Sequence, residues 1–291
     1  MISTHEQSPE SKRGAKGPVR PLIRAGACGP ACKPDRREYR ALVLGLLAML
    51  LGSVSCGFLS AFGSKDDADN PGNAATVDEP EETKAARTKL VSSIAAAGKV
   101  KDPAVLEALS KVKRHEFVPA EVSVELAYQD QALSIGPAQT MLPPSLVAEL
   151  LEALQLSGDD RVLLIGIGTG YPAAVLASLC RHVDVVEPDP KLGQETRARL
   201  LRLGYRNIDV HVGEGYKGWP AGAPYERILL TAAPIDMPAA LVDELAPYGI
   251  LVGPLGPSDD ERLVRWRKMN GQTDREDLRP IHMAHMRLLS D

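Results

Sequence analysis

The stretch Arg161–Ala177, RVLLIGIGTGYPAAVLA, decides how the rest of this chain is read. Its four consecutive apolar residues, Val162 to Ile165, suit a strand buried on both faces of a parallel sheet, since a strand with one wet face would alternate. Gly166, Gly168 and Gly170 follow as a G-x-G-x-G turn, and from Tyr171 the pattern is a helix with an apolar face. Strand, glycine turn and helix bring bare backbone against a nucleotide-like ligand. Such a turn also serves simply to pack a helix tightly on a strand, so the stretch alone leaves both readings open.

On its C-terminal side the alternation is regular. Val183–Glu187 reads as a strand ending in an acid, Lys191–Leu203 as a helix closed by Gly204, and Asn207–Val212 as a third strand. Gly213-Glu214-Gly215 is a tight turn, Arg227–Thr231 a strand, Ala239–Leu245 a helix and Gly249–Pro254 a strand. Leu263–Lys268 and His282–Leu289 look like terminal strands. Before the opening stretch, Lys84–Ala97, Pro103–Val112 and Pro144–Leu154 have helical spacing, the second with Asp102-Pro103 as its start signal. The expected fold is α/β, a doubly wound, mostly parallel sheet with extra N-terminal helices.

The first third reads as an address and a tether. Residues 1–40 are rich in Lys, Arg, Pro, Gly and Ser and form a disordered basic leader. Arg36, Arg37 and Arg40 precede the uncharged run Ala41–Leu51 and then Gly52-Ser53-Val54-Ser55-Cys56, so residues 41–62 are a signal or an anchor. Small residues before a cysteine resemble a bacterial lipobox, which would make Cys56 a lipidated N-terminus, although Ser53 stands where Leu is usual. An uncleaved span is the alternative, since no charge falls between Ala41 and Ser64. Both place the bulk of the chain outside the cytoplasm, on the periplasmic side. A wrongly assigned start codon would leave it cytoplasmic. Residues 63–82, acidic and poor in large apolar side chains, read as a disordered linker, with the folded domain spanning 83–291.

Bulk properties narrow the partners. Of 291 residues, 44% are hydrophobic and 25% charged, as in an ordinary globular core. A net charge of -4 argues against nucleic acid. Four scattered cysteines make no disulfide framework, and Cys180 reads as a small buried apolar residue.

The acids sharpen the opening stretch. Glu187 lies 21 residues past Gly166, at the end of the second strand, where a carboxylate accepts hydrogen bonds from both ribose hydroxyls. Glu214 sits in the turn after the third strand, where an adenine amino group would be bound. Three such features at the carboxyl ends of successive strands outweigh any one of them. His115 reads as a structural hydrogen-bonder and Trp219 and Trp266 as packing residues, while the basic cluster Arg262, Arg265, Arg267 and Lys268 reads as a solvated face. His282 and His285 would pair on a metal only at helical spacing; on a strand they face opposite sides.

Further segments carry a resemblance. RHEFVP (114–119), AYQD (127–130), LSIGPAQT (133–140), IGIGTGY (165–171), GEGYKGWP (213–220), TAAP (231–234) and YGILVGPLG (248–256) resemble a protein-L-isoaspartate O-methyltransferase, a class I, Rossmann-like S-adenosylmethionine enzyme. The resemblance implies methyl transfer to the misplaced carboxylate of isoaspartyl residues in damaged proteins, whose ester collapses to a succinimide and partly returns to aspartate. It implies S-adenosylmethionine as cofactor and isoaspartyl-containing proteins or peptides as partners; separately, the chain is expected to act as a monomer. Gly166, Gly168, Thr169 and Gly170 would line the methionine end of the cofactor. Glu187 would hold the ribose, and Gly213 and Glu214 the adenine edge. Gln139 and Thr140 would form the junction between cofactor and substrate and carry the catalytic role.

Two departures stand out. The family's QTISxP segment is Gln139-Thr140-Met141-Leu142-Pro143 here, so Leu142 replaces a serine at the reaction centre. The acid that opens the glycine motif is Leu164. Each removes a hydrogen-bonding group, at a cost of about 1–3 kcal/mol where a buried partner is left unpaired. These changes raise two alternatives, a non-catalytic binding module and a methyltransferase for another carboxylate.

Overall fold

The computed structural model describes residues 79–136 and 139–286. The readings of residues 1–78, Cys56 among them, lie outside the described residues. Helix α1 is Glu81–Ala96, starting inside the segment expected to be linker. Acids in its first turn, Glu81 and Glu82, suit a helix N-terminus, and Glu79 just before it forms a two-pronged ion pair with Arg87. Arg87 holds the Glu79 carboxyl below the usual range. In α2 (Pro103–Lys111) the Asp102 side chain accepts from the Ala104 amide at 2.9 Å, the expected cap. A 3-10 turn, Arg114–Phe117, and the short α3, Val124–Ala127, follow.

Next comes a small antiparallel hairpin that periodicity did not suggest, β1 (Leu133–Gly136) and β2 (Gln139–Met141), pairing Ser134 with Thr140. Helix α4 is Pro144–Leu154. The alternating half continues as β3 (Arg161–Ile165), α5 (Tyr171–Ala177), β4 (His182–Glu187), α6 (Pro190–Arg202) and β5 (Ile208–Val212). It closes with β6 (Tyr225–Leu230), α7 (Ala239–Asp243), β7 (Leu245–Leu255), β8 (Arg262–Met269) and β9 (Gln272–Pro280). The strand expected at His282–Leu289 is not found over the described residues 282–286. They make one isolated bridge, His285 to Ala233, and the hairpin partner of β8 is β9, whose polar sequence hid it.

The seven strands are ordered β5-β4-β3-β6-β7-β8-β9. The first five are parallel, and β8 and β9 run antiparallel at one edge. The chain steps from β3 outward to β5, then crosses back to place β6 on the other flank of β3. Such a reversal opens a crevice above the carboxyl ends of the two strands beside it.

Burial on both faces explains the apolar run. Val162 and Leu164 join the larger core with Val185, Leu229 and the helices, while Leu163 and Ile165 join Val186, Ile228 and Leu230 on the other face. Gly253 in β7 lets that strand approach β6, since a side chain there would overlap Leu230. The basic cluster of β8 is more engaged than expected. Lys268 Nζ donates to the carbonyls of Val242, Asp243 and Leu245, and Arg265 and Arg267 share Glu276 of β9. Cys180 is buried, donates to the Leu176 carbonyl at 3.1 Å, and has its thiol pushed up to about 12 by burial.

Replacing Gly253 by Ala should force the two central strands apart. Urea unfolding should show the midpoint fall by an amount equivalent to about 1–3 kcal/mol with the slope unchanged.

Candidate active site

The glycine turn after β3 is held from every side. The Gly166 amide donates to the Val186 carbonyl at 2.9 Å, and the Thr231 hydroxyl, at the end of β6, lies 2.9 and 3.0 Å from the carbonyls of Ile165 and Gly166. A Cβ on Gly166, at φ 88°, would lie 2.6 Å from that hydroxyl, so glycine is required. From α6, Thr196 Oγ1 donates to the Gly168 carbonyl at 3.2 Å and Arg199 to the Thr169 carbonyl at 3.0 Å. Glu187 completes the clamp. Its Oε2 accepts from the Ile167 amide at 3.0 Å and its Oε1 from the Asp189 amide at 3.1 Å.

Above the turn lies a cavity of about 790 Å³, inside the range of small-molecule sites. Gly166, Gly168, Thr169 and Glu187 line it, as do Gln139, Thr140 and Leu142 from β2 and the turn after it. Gly168 is the turn residue whose missing side chain leaves open space, with no atom within 4 Å of where a Cβ would stand. Glu187 stands on the cavity wall, and its carboxylate is an acceptor of the kind ribose hydroxyls need. Backbone at close range, one acid at the end of β4 and a roomy cavity fit S-adenosylmethionine.

Some expected contacts are placed elsewhere. Gly170 is not on the cavity wall; a Cβ there would meet Thr196 at 2.6 Å, so it packs α5 on α6. Gly213 and Glu214 are also absent from the wall. Glu214 turns to Lys217 three residues on, Nζ to Oε2 2.7 Å, and Gly215 reaches the cavity in their place. Leu164 is fully buried in the sheet core and does not line the cavity, so its apolar character suits its surroundings.

The structure adds residues that the sequence reading passed over. Residues 282–286 cross the cavity, with Ala233 donating to the Ala284 carbonyl at 2.8 Å and Met286 to the Ala233 carbonyl at 2.9 Å. A Cβ on Gly215 would lie 2.7 Å from the Met286 methyl, so the strap sits close on the turn below it. Arg114 is fully buried beside the junction. Its Nε donates to the Ala127 carbonyl and its Nη2 to the Leu142 carbonyl, both at 2.9 Å, and its guanidinium stacks 4.8 Å over the Tyr171 ring. It thereby ties the Gln139–Leu142 segment to the first residue of α5. The RHEFVP match was the available signal for it. His115 meets the Tyr128 hydroxyl at 2.9 Å, and Trp219 stacks on His211 at 3.9 Å, both structural as expected.

A seven-stranded sheet, a glycine turn after its first parallel strand and an acid at the end of the next define the Rossmann-like methyltransferase class. Comparison with known proteins gives the family. Residues 85–285 match the profile of Protein-L-isoaspartate(D-aspartate) O-methyltransferase, and the chain belongs to that family. It is similar to the Dictyoglomus turgidum protein-L-isoaspartate O-methyltransferase, 42% identical over 188 residues, covering 65% of this chain and 85% of the relative. It is 47% identical over 174 residues to the Picosynechococcus enzyme of the same name, covering 60% and 78%. A solved protein-L-isoaspartate O-methyltransferase superposes with a TM-score of 0.65 at 25% identity, covering 70% of this chain and 66% of that one. A Plasmodium falciparum structure in complex with S-adenosyl-L-homocysteine superposes with a TM-score of 0.62 at 20% identity, over 69% of this chain and 98% of that one, a likeness of fold.

Glu187→Gln removes the charge while keeping the shape. Affinity for S-adenosylhomocysteine, measured by calorimetry, should fall about 10- to 100-fold, the scale of a hydrogen bond to a charged group.

Proposed function

We propose that this chain transfers a methyl group from S-adenosylmethionine to the side-chain carboxylate of isoaspartyl residues in damaged proteins. The observation that carries the reading is one cavity that joins the glycine turn and Glu187 to Gln139, Thr140 and Leu142. Family membership over residues 85–285 supports it.

S-adenosylmethionine, when bound, supplies an electrophilic methyl group. The residues of the chain have a task of placement. A carboxylate is already nucleophilic at neutral pH, so no general base is needed, and catalysis is chiefly holding two reactants in line. Gly166, Gly168, Thr169 and Glu187 would hold one reactant and Gln139 and Thr140 would orient the other, with Arg114 fixing the Leu142 carbonyl behind them. Leu142 contributes shape without a donor.

Incubating the full chain with labelled cofactor and an isoaspartyl peptide should give a base-labile methyl ester; the aspartyl peptide should give none. Leu142→Ser should raise the isoaspartyl rate about tenfold, the value of one recovered hydrogen bond. Absence of ester from both chains would overturn the reading.

We also propose that the domain is tethered to the outer face of the cytoplasmic membrane through residues 41–62. The uncharged run Ala41–Leu51 behind Arg36, Arg37 and Arg40, followed by Cys56, supports this reading. In cell fractionation the full chain should sediment with membranes, and Cys56→Ala should release it where lipidation is the tether and leave it bound where the span is. Recovery of the unaltered chain in the cytosol would sink the proposal.

A further inference from the structure

The paired histidines of RPIHMAHMR, dismissed as a metal pair, both lie on the cavity wall. His285 is the better fixed. Its Nε2 lies 2.7 Å from Ser258 Oγ and 2.9 Å from Oε1 of Glu261. The Glu261 side chain is 1% exposed, and its Oε2 accepts from the Met283 amide at 2.7 Å. The Glu261 carbonyl accepts from Ile281 at 3.1 Å, and His285 bridges to Ala233, two residues past the Thr231 that closes the glycine turn. One buried carboxylate therefore fixes both the backbone of the strap and the ring it carries. His282, 81% exposed and 3.6 Å from Glu261, has no comparable hold.

The ring is oriented by one nitrogen only. With Nε2 committed to Ser258 and Glu261, Nδ1 has no hydrogen-bond partner among the described residues. A ring whose Nε2 accepts from the Ser258 hydroxyl, or an imidazolium held between Glu261 and a second carboxylate, carries N–H on Nδ1, whereas a neutral ring donating Nε2–H to Glu261 leaves Nδ1 an acceptor. His285 shares the cavity wall with Thr140 and Leu142, and an incoming carboxylate selects the forms in which Nδ1 donates. The incoming reactant there is a carboxylate, which needs donors, and Leu142 offers none.

We propose that His285 donates from Nδ1 to the carboxylate of the isoaspartyl substrate, and that Glu261 is the positioning residue that aims it. The inference rests on the methyl-transfer reading. It assigns to the strap a substrate contact beside those of Gln139 and Thr140, on the wall where Leu142 offers no donor.

The test uses the full chain, an isoaspartyl peptide and S-adenosylhomocysteine. For His285→Ala the peptide KM, and its Kd measured by calorimetry with S-adenosylhomocysteine present, should rise about 10- to 100-fold, the scale of a lost charge-assisted hydrogen bond. S-adenosylhomocysteine affinity and Tm should stay close to those of the unaltered chain. His285→Gln, which keeps a donor, should recover part of the loss, and Glu261→Gln should raise KM by less than His285→Ala. In nitrogen-15 spectra the His285 Nδ1 resonance should shift on adding peptide. An active chain whose peptide Kd and KM are unchanged by His285→Ala, or whose His285→Gln variant is no better than His285→Ala, overturns the role of His285 alone. An unaltered chain that neither binds nor methylates the peptide overturns the functional reading and this inference with it.

Discussion

The bond from the Ile167 amide to Glu187 is the contact on which the rest of the site depends. It links the middle of the glycine turn after β3 to the end of β4 at 3.0 Å, and the second oxygen reaches the Asp189 amide at 3.1 Å. A turn of three positive-φ glycines has many conformations in an unfolded chain, and ordering it is costly. Here the cost is offset by a carboxylate inside, Thr196 and Arg199 outside and Thr231 beneath. The same acid lines the cavity, so the side chain that sets the shape of the turn also borders the space above it. A cavity with this kind of floor is organised before anything enters it.

The other walls are attached to that floor by long-range contacts. Arg114 joins the Leu142 carbonyl to Tyr171 at the start of α5, although Arg114 itself lies 57 positions before that tyrosine in the chain. Its cationic side chain lies in the core with Nη1 unpartnered, and burial lowers its affinity for a proton. Such an arrangement is expensive unless it fixes something that matters. Glu149 and Arg279 add a two-pronged bond from α4 to β9, 2.6 Å at each prong. The segment that enters the cavity roof follows directly from that strand.

The parts of this architecture legible in the sequence were those governed by local rules. The apolar run before Gly166 and the cap at Asp102 follow from neighbours a few positions away, and the strand-end acid Glu187 from a fixed spacing of 21 residues past Gly166. Glu214 stands off the cavity wall because a turn acid has a local partner, Lys217 three residues later. The final strand failed for a related reason. Gln272–Pro280 is polar because it is an exposed edge, whereas His282–Met286 is apolar enough to look like a strand while serving as a roof. His285 was judged by the side of a strand it would face. Its real neighbours, Ser258 and Glu261, come from the turn before β8, and no pattern in its own segment points to them.

Cys180 carries a consequence for where such a domain can work. A thiol reacts with oxidants and disulfides as its thiolate, and this one is buried and held almost wholly protonated at neutral pH. It is the free cysteine of the described residues, so the folded part offers no handle for mixed disulfides with neighbouring proteins. Thiol chemistry in the described residues is therefore the same in reducing and oxidising surroundings.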